Sequence, residues 1–216
     1  MLQNNPYIEK VENHNKIFIE TEKIYSHKWN WSKYFWNNNP IHLEIGTGMG
    51  NFFWREVVAN PDINYIGIEL RYKRLFSTAE KAMRWTWDNF IVIKDFWQNI
   101  NNIFQTEEIS TTHIHFPDPW WKKERQKKNR LLQADFLQNL HKITKTWWNL
   151  IFKTDHREYF DTVIEIIWWE NKNWETSIIS YDYESELAHF DTKEITEFEA
   201  YYRRFGTKIC YLEAKK

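Results

Sequence analysis

The sequence has one cysteine, Cys210, and only five glycines and five prolines in 216 residues. A single cysteine excludes an internal disulfide and a multi-cysteine zinc site, so it reads as a small apolar residue and no metal is expected. So little glycine and proline excludes collagen-like and low-complexity chains. No apolar run approaches the roughly 20 residues that a bilayer-spanning helix needs. The start, Met1-Leu2-Gln3-Asn4-Asn5-Pro6, also lacks the apolar stretch of a secretory signal. A cytoplasmic protein with no membrane contact is expected. An excess of one charge is missing too: 29 Lys and Arg stand against 30 Asp and Glu, a formal charge of −1. With 42% hydrophobic residues, that balance fits a chain with a core and not a disordered one.

What is present is alternation. Short apolar or β-branched runs at 42–45, 64–70, 90–94, 112–116 and 149–153 read as strands, and helical periodicity fills 52–59, 71–84, 131–143 and 157–170. Strand and helix in turn predict βαβ units and a parallel sheet covered on both faces. Beyond residue 170 the pattern changes, and 176–181 and 207–212 read as strands that pair antiparallel. No Ser/Gly/Pro-rich linker marks a second domain. Residues 1–39, rich in Asn and aromatics, read as a lead-in packed on or flanking a single domain of residues 40–216.

The first of these strands runs into Glu44-Ile45-Gly46-Thr47-Gly48-Met49-Gly50, followed by a helix. Glycines at alternate positions allow a tight turn and the close approach of a ligand to the main chain. The spacing is GxGxG and not GxGxxG, and no Lys-Ser/Thr follows, so the loop is not built for a pyrophosphate. Glu69 and Asp95 end the next two strands. A carboxylate at the first position can accept bonds from two ribose hydroxyls, and one at the second can receive an adenine amino group. Three carboxylates at adjacent strand ends suit a cationic or neutral adenosine ligand, and S-adenosylmethionine fits that description.

The fourth strand leads into Phe116-Pro117-Asp118-Pro119-Trp120, where two prolines fix the backbone and hold the Asp118 carboxylate at the strand end. Methyltransferases acting on exocyclic amines place a similar segment there, so the segment alone does not choose the substrate. Next come Lys122, Lys123, Arg125, Lys127, Lys128 and Arg130, six cations against Glu124 alone in a nearly neutral protein. Such a concentration beside the glycine turn reads as a contact for a phosphate backbone, with Trp120 available for stacking. Asp155 follows the fifth strand, and Thr196-Glu197-Phe198-Glu199 combines hydrogen-bonding and charged groups around an aromatic near the end.

From about Pro40 to Lys216 these residues resemble the bacterial tRNA (guanine-N7)-methyltransferase family. The most specific part is Pro117-Asp118-Pro119-Trp120 with Lys122-Lys123 and the basic run to Arg130-Leu131-Leu132-Gln133. The resemblance implies a Rossmann-like class I methyltransferase fold: a seven-stranded, mostly parallel sheet with helices on both faces and an antiparallel last strand. It implies methylation of guanine N7 in tRNA, in family members a variable-loop guanosine, with S-adenosylmethionine as donor. By position it implies cofactor contacts at Glu44, Gly46, Gly48, Gly50, Glu69, Asp95 and Asp118, with Asp118 catalytic. It further implies substrate contacts at Lys122, Asp155 and Thr196 to Glu199, and tRNA-backbone contacts at Lys123, Arg125, Lys127, Lys128 and Arg130. A monomer or homodimer is expected. An amine methyltransferase and a catalytically silent RNA-binding module remain the rival readings.

One departure concerns tryptophan. The family usually has Pro-Gly-Gly before its fifth strand, where this chain has Thr146-Trp147-Trp148. Trp36, Trp97, Trp168, Trp169 and Trp174 also stand where turns or loop ends favour a small residue. Average glycine usage of about 7% would give roughly 15 glycines, against the 5 Gly and 14 Trp present. Many of these tryptophans are therefore expected to be glycines in the living cell, encoded by UGA codons.

Overall fold

The structure, a computed structural model, describes residues 5–28, 30–85, 88–187 and 196–216. Its strands are β1 (Ile17–Phe18), β2 (Ile41–Ile45), β3 (Asn64–Ile68), β4 (Phe90–Ile93), β5 (Thr111–His115), β6 (Asn149–Thr154), β7 (Glu175–Ser180) and β8 (Cys210–Lys215). They form one sheet in the order β1-β4-β3-β2-β5-β6-β8-β7. The neighbouring pairs from β1 to β6 are parallel, and β8 alone runs antiparallel, inserted between β6 and β7.

Helices α1 (Tyr7–Glu12), α2 (Thr21–Ser26) and α3 (Trp31–Phe35) lie in the lead-in, with β1 between the first two. The crossovers between successive strands from β2 to β7 carry α4 (Asn51–Ala59), α5 (Tyr72–Met83), α6 (Ile100–Ile103), α7 (Ala134–Ile143) and α8 (Arg157–Glu165). Two short helices, α9 (Tyr183–Glu186) and α10 (Glu197–Arg204), lie between β7 and β8.

Alternation along β4 shows why the sheet is covered twice. All four residues are fully buried, Ile91 and Ile93 in the core on one face and Phe90 and Val92 in the core on the other. Such a strand reads as a continuous apolar run because neither face meets water. The expected fold class is borne out with one addition, the two-residue β1, which pairs Ile17 with Val92 at the sheet edge. Two residues are too short to show a period of two. The lead-in joins both cores: Val11 of α1 packs with Phe53 and Leu75, whereas Trp31 of α3 is fully buried on the other face and donates its indole N–H to the Ile103 carbonyl at 3.0 Å.

The tryptophans expected at small-residue positions fall into three kinds. Trp36 ends α3 at φ 55°, and Trp147 turns the chain before β6 at φ 72°. That left-handed region favours glycine. Their side chains are 91% and 82% exposed. Trp174 and Trp97, by contrast, do not occupy small-residue positions. Trp174 is buried and donates to the Leu137 carbonyl at 3.1 Å, and Trp97 packs edge-on against Phe136. Trp168 and Trp169 are exposed in a widened last turn, Ile166–Glu170, without a positive φ.

Candidate active site

Because β2 to β6 are parallel, the loops after these strands emerge along one edge. The strand order reverses between β2 and β5, and the crevice at such a switch point is where open α/β sheets bind ligands. A cleft of about 410 Å³ lies there, lined by the glycine turn, Glu44, Glu69, Asp95, the Phe116 to Asp118 segment and Thr196 to Phe198.

The glycine turn has Gly46, Gly48 and Gly50 at φ 82°, 57° and 78°. At Gly50, which opens α4, a Cβ would come within 2.6 Å of the Thr78 backbone, so no other residue fits. Glu69 clips this turn to the end of β3. Its carboxylate accepts from the Gly48 amide at 3.1 Å and from the Leu70 and Arg71 amides at 2.8 and 3.0 Å, with Arg74 at 3.8 Å. Asp95 is held through one oxygen, Oδ1, which accepts from the Phe96 amide and the Asn99 side chain.

Two carboxylate oxygens are left over. Asp95 Oδ2 and Glu44 Oε2 are both buried and make no hydrogen bond among the described residues. Burial, with Glu56 and Glu69 nearby, pushes the Glu44 carboxyl well above the ordinary range. Buried acceptors without donors are costly unless a ligand supplies the donors. A ligand with an amino group and a positive charge fits both, which is the chemistry of S-adenosylmethionine.

Asp118 stands exposed at the cleft wall. Its loop is bracketed by two non-glycine residues in the left-handed region, Phe116 at φ 50° and Trp120 at φ 45°. Strain of this kind persists only where the surroundings impose it. Part of that support is Arg130. It is 2% exposed, donates Nε to the Pro119 carbonyl at 2.8 Å, reaches Thr162 and Glu158, and lies over the Tyr159 ring. This corrects the expectation for Arg130: its guanidinium is enclosed beneath the loop and is not presented to an RNA backbone. Lys127 is half-buried between Glu124 and Glu158 at 2.9 and 2.7 Å, whereas Lys122, Lys123, Arg125 and Lys128 are exposed.

Thr196 caps α10 by accepting from the Glu199 amide, and Glu197 reaches the Asn51 side chain across the cleft. Glu199 does not line the cleft. It is 1% exposed beneath α10, paired with Lys153 at 3.3 Å and Arg203 at 2.6 Å, so it anchors the helix. Asp155 also lies outside the cleft lining, half-buried beside the Tyr202 hydroxyl, and burial together with that carboxylate pushes the Tyr202 hydroxyl up to about 12.

Phe116, Arg74 and His115 also line the cleft, which the sequence did not single out. His115 ends β5 on the cleft floor with Phe52 edge-on at 4.4 Å, and burial holds its imidazole neutral, well below its usual range. Its place at a strand end, one residue from the Phe-Pro-Asp segment, was the available signal.

The comparisons agree with this geometry. A family described as "Putative methyltransferase" (Methyltransf_4) matches residues 38–212. A tRNA (guanine-N(7)-)-methyltransferase of Clostridioides difficile is 33% identical over 96% of this chain and 94% of its own. A bifunctional glycosyltransferase/methyltransferase of Fusobacterium nucleatum is 36% identical over 93% of this chain, which spans only 31% of that relative's length. Among solved structures, an antibiotic-related methyltransferase shares the fold at a TM-score of 0.60 and 16% identity, covering 86% of this chain and 91% of its own. Matched over nearly its whole length, and with the carboxylates, glycine turn and Pro-Asp-Pro loop gathered at one switch-point cleft, the chain belongs to the tRNA (guanine-N(7)-)-methyltransferase family.

Proposed function

We propose that the chain performs the reaction for which its family is named, methylation of guanine N7 in tRNA, at the cleft between β2 and β5. The observation that carries this reading is the pair of buried, donor-less oxygens on Glu44 and Asp95 in the same cleft as the exposed Asp118 carboxylate. When bound, S-adenosylmethionine supplies an electrophilic methyl group on a sulfonium.

The glycine turn offers main-chain approach without a Cβ, Glu69 and Asp95 take the adenosine hydroxyls and amine, and Glu44 takes positive charge. Guanine N7 carries a lone pair and no proton, so these residues need no general base among them. Their contribution is alignment, which in an oriented site supplies up to about 7–11 kcal/mol. Asp118 is positioned to accept from the N–H edge of the purine and to stabilise the positive charge that the ring acquires. Exposed Lys122, Lys123, Arg125 and Lys128 beside that loop hold the phosphate backbone, an attraction that weakens with salt. Selection of a variable-loop guanosine then follows from tRNA shape. Among the described residues no helix is long and apolar enough to cross a membrane, which accords with a cytoplasmic place beside tRNA.

The test is incubation with labelled S-adenosylmethionine and unmodified tRNA, followed by nucleoside analysis. We expect 7-methylguanosine, and we expect Asp118→Asn to lose most turnover while cofactor affinity falls only moderately. Methyladenosine as the product would overturn the assignment, and near-normal turnover of the variant would overturn the role given to Asp118.

A further inference from the structure

Helix α10 is inside out. On a helix, positions 198, 201, 202 and 205 share one face, and four aromatic residues there, Phe198, Tyr201, Tyr202 and Phe205, would ordinarily point that face at the core. Here the buried side is the polar one, where Glu199 is anchored by Lys153 and Arg203. Three of the rings face outward, Phe198, Tyr201 and Phe205 at 49%, 57% and 69% exposure, whereas Tyr202 is half-buried and packs with Phe116 against Tyr183, Ile209 and Tyr211. The rings are in contact with one another. Phe116, on the cleft wall, lies 6.0 Å from Phe198 and 5.7 Å from Tyr202, Tyr202 lies 5.5 Å from Tyr201, and Tyr201 lies 4.9 Å from Phe205. The result is an unbroken ridge of rings running from the cleft out to the protein surface. A contiguous exposed apolar patch of this kind marks an interaction site.

We infer that this ridge is a stacking platform for unpaired bases flanking the guanosine that enters the cleft. The inference rests on the proposed tRNA reaction and extends it beyond the cleft. Three observations select an RNA strand as the occupant. Phe116 and Phe198 belong to both the ridge and the cleft lining, so a strand leaving the cleft on this side meets the next rings in order. The cleft lining includes Trp120 and Asn129, at either end of the basic run, together with Thr196 to Phe198, so cations and rings border one mouth. Arg204 is exposed on the same helix. A charged track for phosphates next to aromatic faces for bases is how single-stranded nucleic acid is held without sequence readout.

The test compares the wild type with a Tyr201→Ala/Phe205→Ala variant and a Tyr201→Phe/Phe205→Tyr variant, all with S-adenosylmethionine bound. In the alanine variant tRNA binding is expected to weaken at least about fivefold, with KM for tRNA rising alike and kcat at saturating tRNA little changed. The dependence of affinity on salt should keep its slope, which Lys123→Ala/Lys128→Ala would flatten. The aromatic exchange should retain wild-type affinity. Unchanged tRNA affinity in the alanine variant overturns the platform. So does a wild-type dimer that the alanine variant dissociates with tRNA affinity intact, since the ridge is then a face between copies. A single-stranded oligoribonucleotide carrying 2-aminopurine separates this inference from the reaction itself. Quenching by the wild type and not by the alanine variant supports the ridge even if no 7-methylguanosine forms, and equal quenching by both counts against it.

Discussion

Replacing Trp147 or Trp36 with glycine should stabilise the fold, the reverse of what removing a tryptophan usually does. Both residues sit in the left-handed region, at φ 72° and 55°, which costs an L-residue with a Cβ about 1–2 kcal/mol. Their side chains are 82% and 91% exposed, so little burial is lost with the indole. Against the relief stands the larger unfolded-state entropy of glycine, about 0.5–1 kcal/mol. The net gain is about 0.5–1 kcal/mol per site and about 1–2 kcal/mol for the double variant, and for a domain of this size that raises Tm by about 2–8 °C. Urea and thermal unfolding of the two single variants, the double variant and a Trp31→Gly control would measure it. Trp31 is fully buried with its indole N–H satisfied, so its loss should cost about 3–5 kcal/mol. If Trp147→Gly and Trp36→Gly destabilise as Trp31→Gly does, the backbone reasoning is wrong. The gene gives an independent check: UGA is expected at codons 36 and 147, and UGG at both would end the idea that these positions are glycine in the cell.

Other expectations concern charge. Because the Glu44 carboxyl is pushed well above its ordinary range, it is protonated at the acid end and attracts a cationic ligand only once ionised. Affinity for S-adenosylmethionine should therefore rise with pH through that range and then level off, with proton release on binding seen by calorimetry in buffers of different ionisation enthalpy. In Glu44→Gln this dependence should vanish. Glu199→Ala removes a 1% exposed carboxylate that pairs with both Lys153 and Arg203 and should cost about 3 kcal/mol in urea unfolding, with Glu199→Gln costing less. His113 is buried and its imidazole is lowered to about 3, so the unfolded chain takes up a proton below pH 6.5 that the native chain refuses. Its contribution to stability is whole above pH 7 and falls by about 1.4 kcal/mol per pH unit as pH drops from about 6 to 4. The difference in slope between wild type and His113→Phe isolates it, and equal slopes would refute the assignment.

Patterns that repeat along the chain, or that lean on backbone restriction, were legible in the sequence. Alternating strand and helix runs placed β2 to β6 and, apart from the four-residue α6, the helices of their crossovers, because a strand such as Phe90–Ile93 that is buried on both faces must be apolar throughout. The glycine turn, Glu69, Asp95 and the Pro-Asp-Pro loop were legible because φ limits and strand ends leave few residue choices. Which charged side chains face a ligand was decided only by tertiary structure. Arg130 and Glu199 look like their exposed neighbours in a charged stretch, yet each is enclosed with partners 28 and 46 positions away, Glu158 for Arg130 and Lys153 for Glu199. Burial is set by what a distant segment brings, and composition carries no record of it. The same holds for the aromatic face of α10: its spacing specifies a stripe, and only the buried ion pair on the adjoining side leaves Phe198, Tyr201 and Phe205 outward.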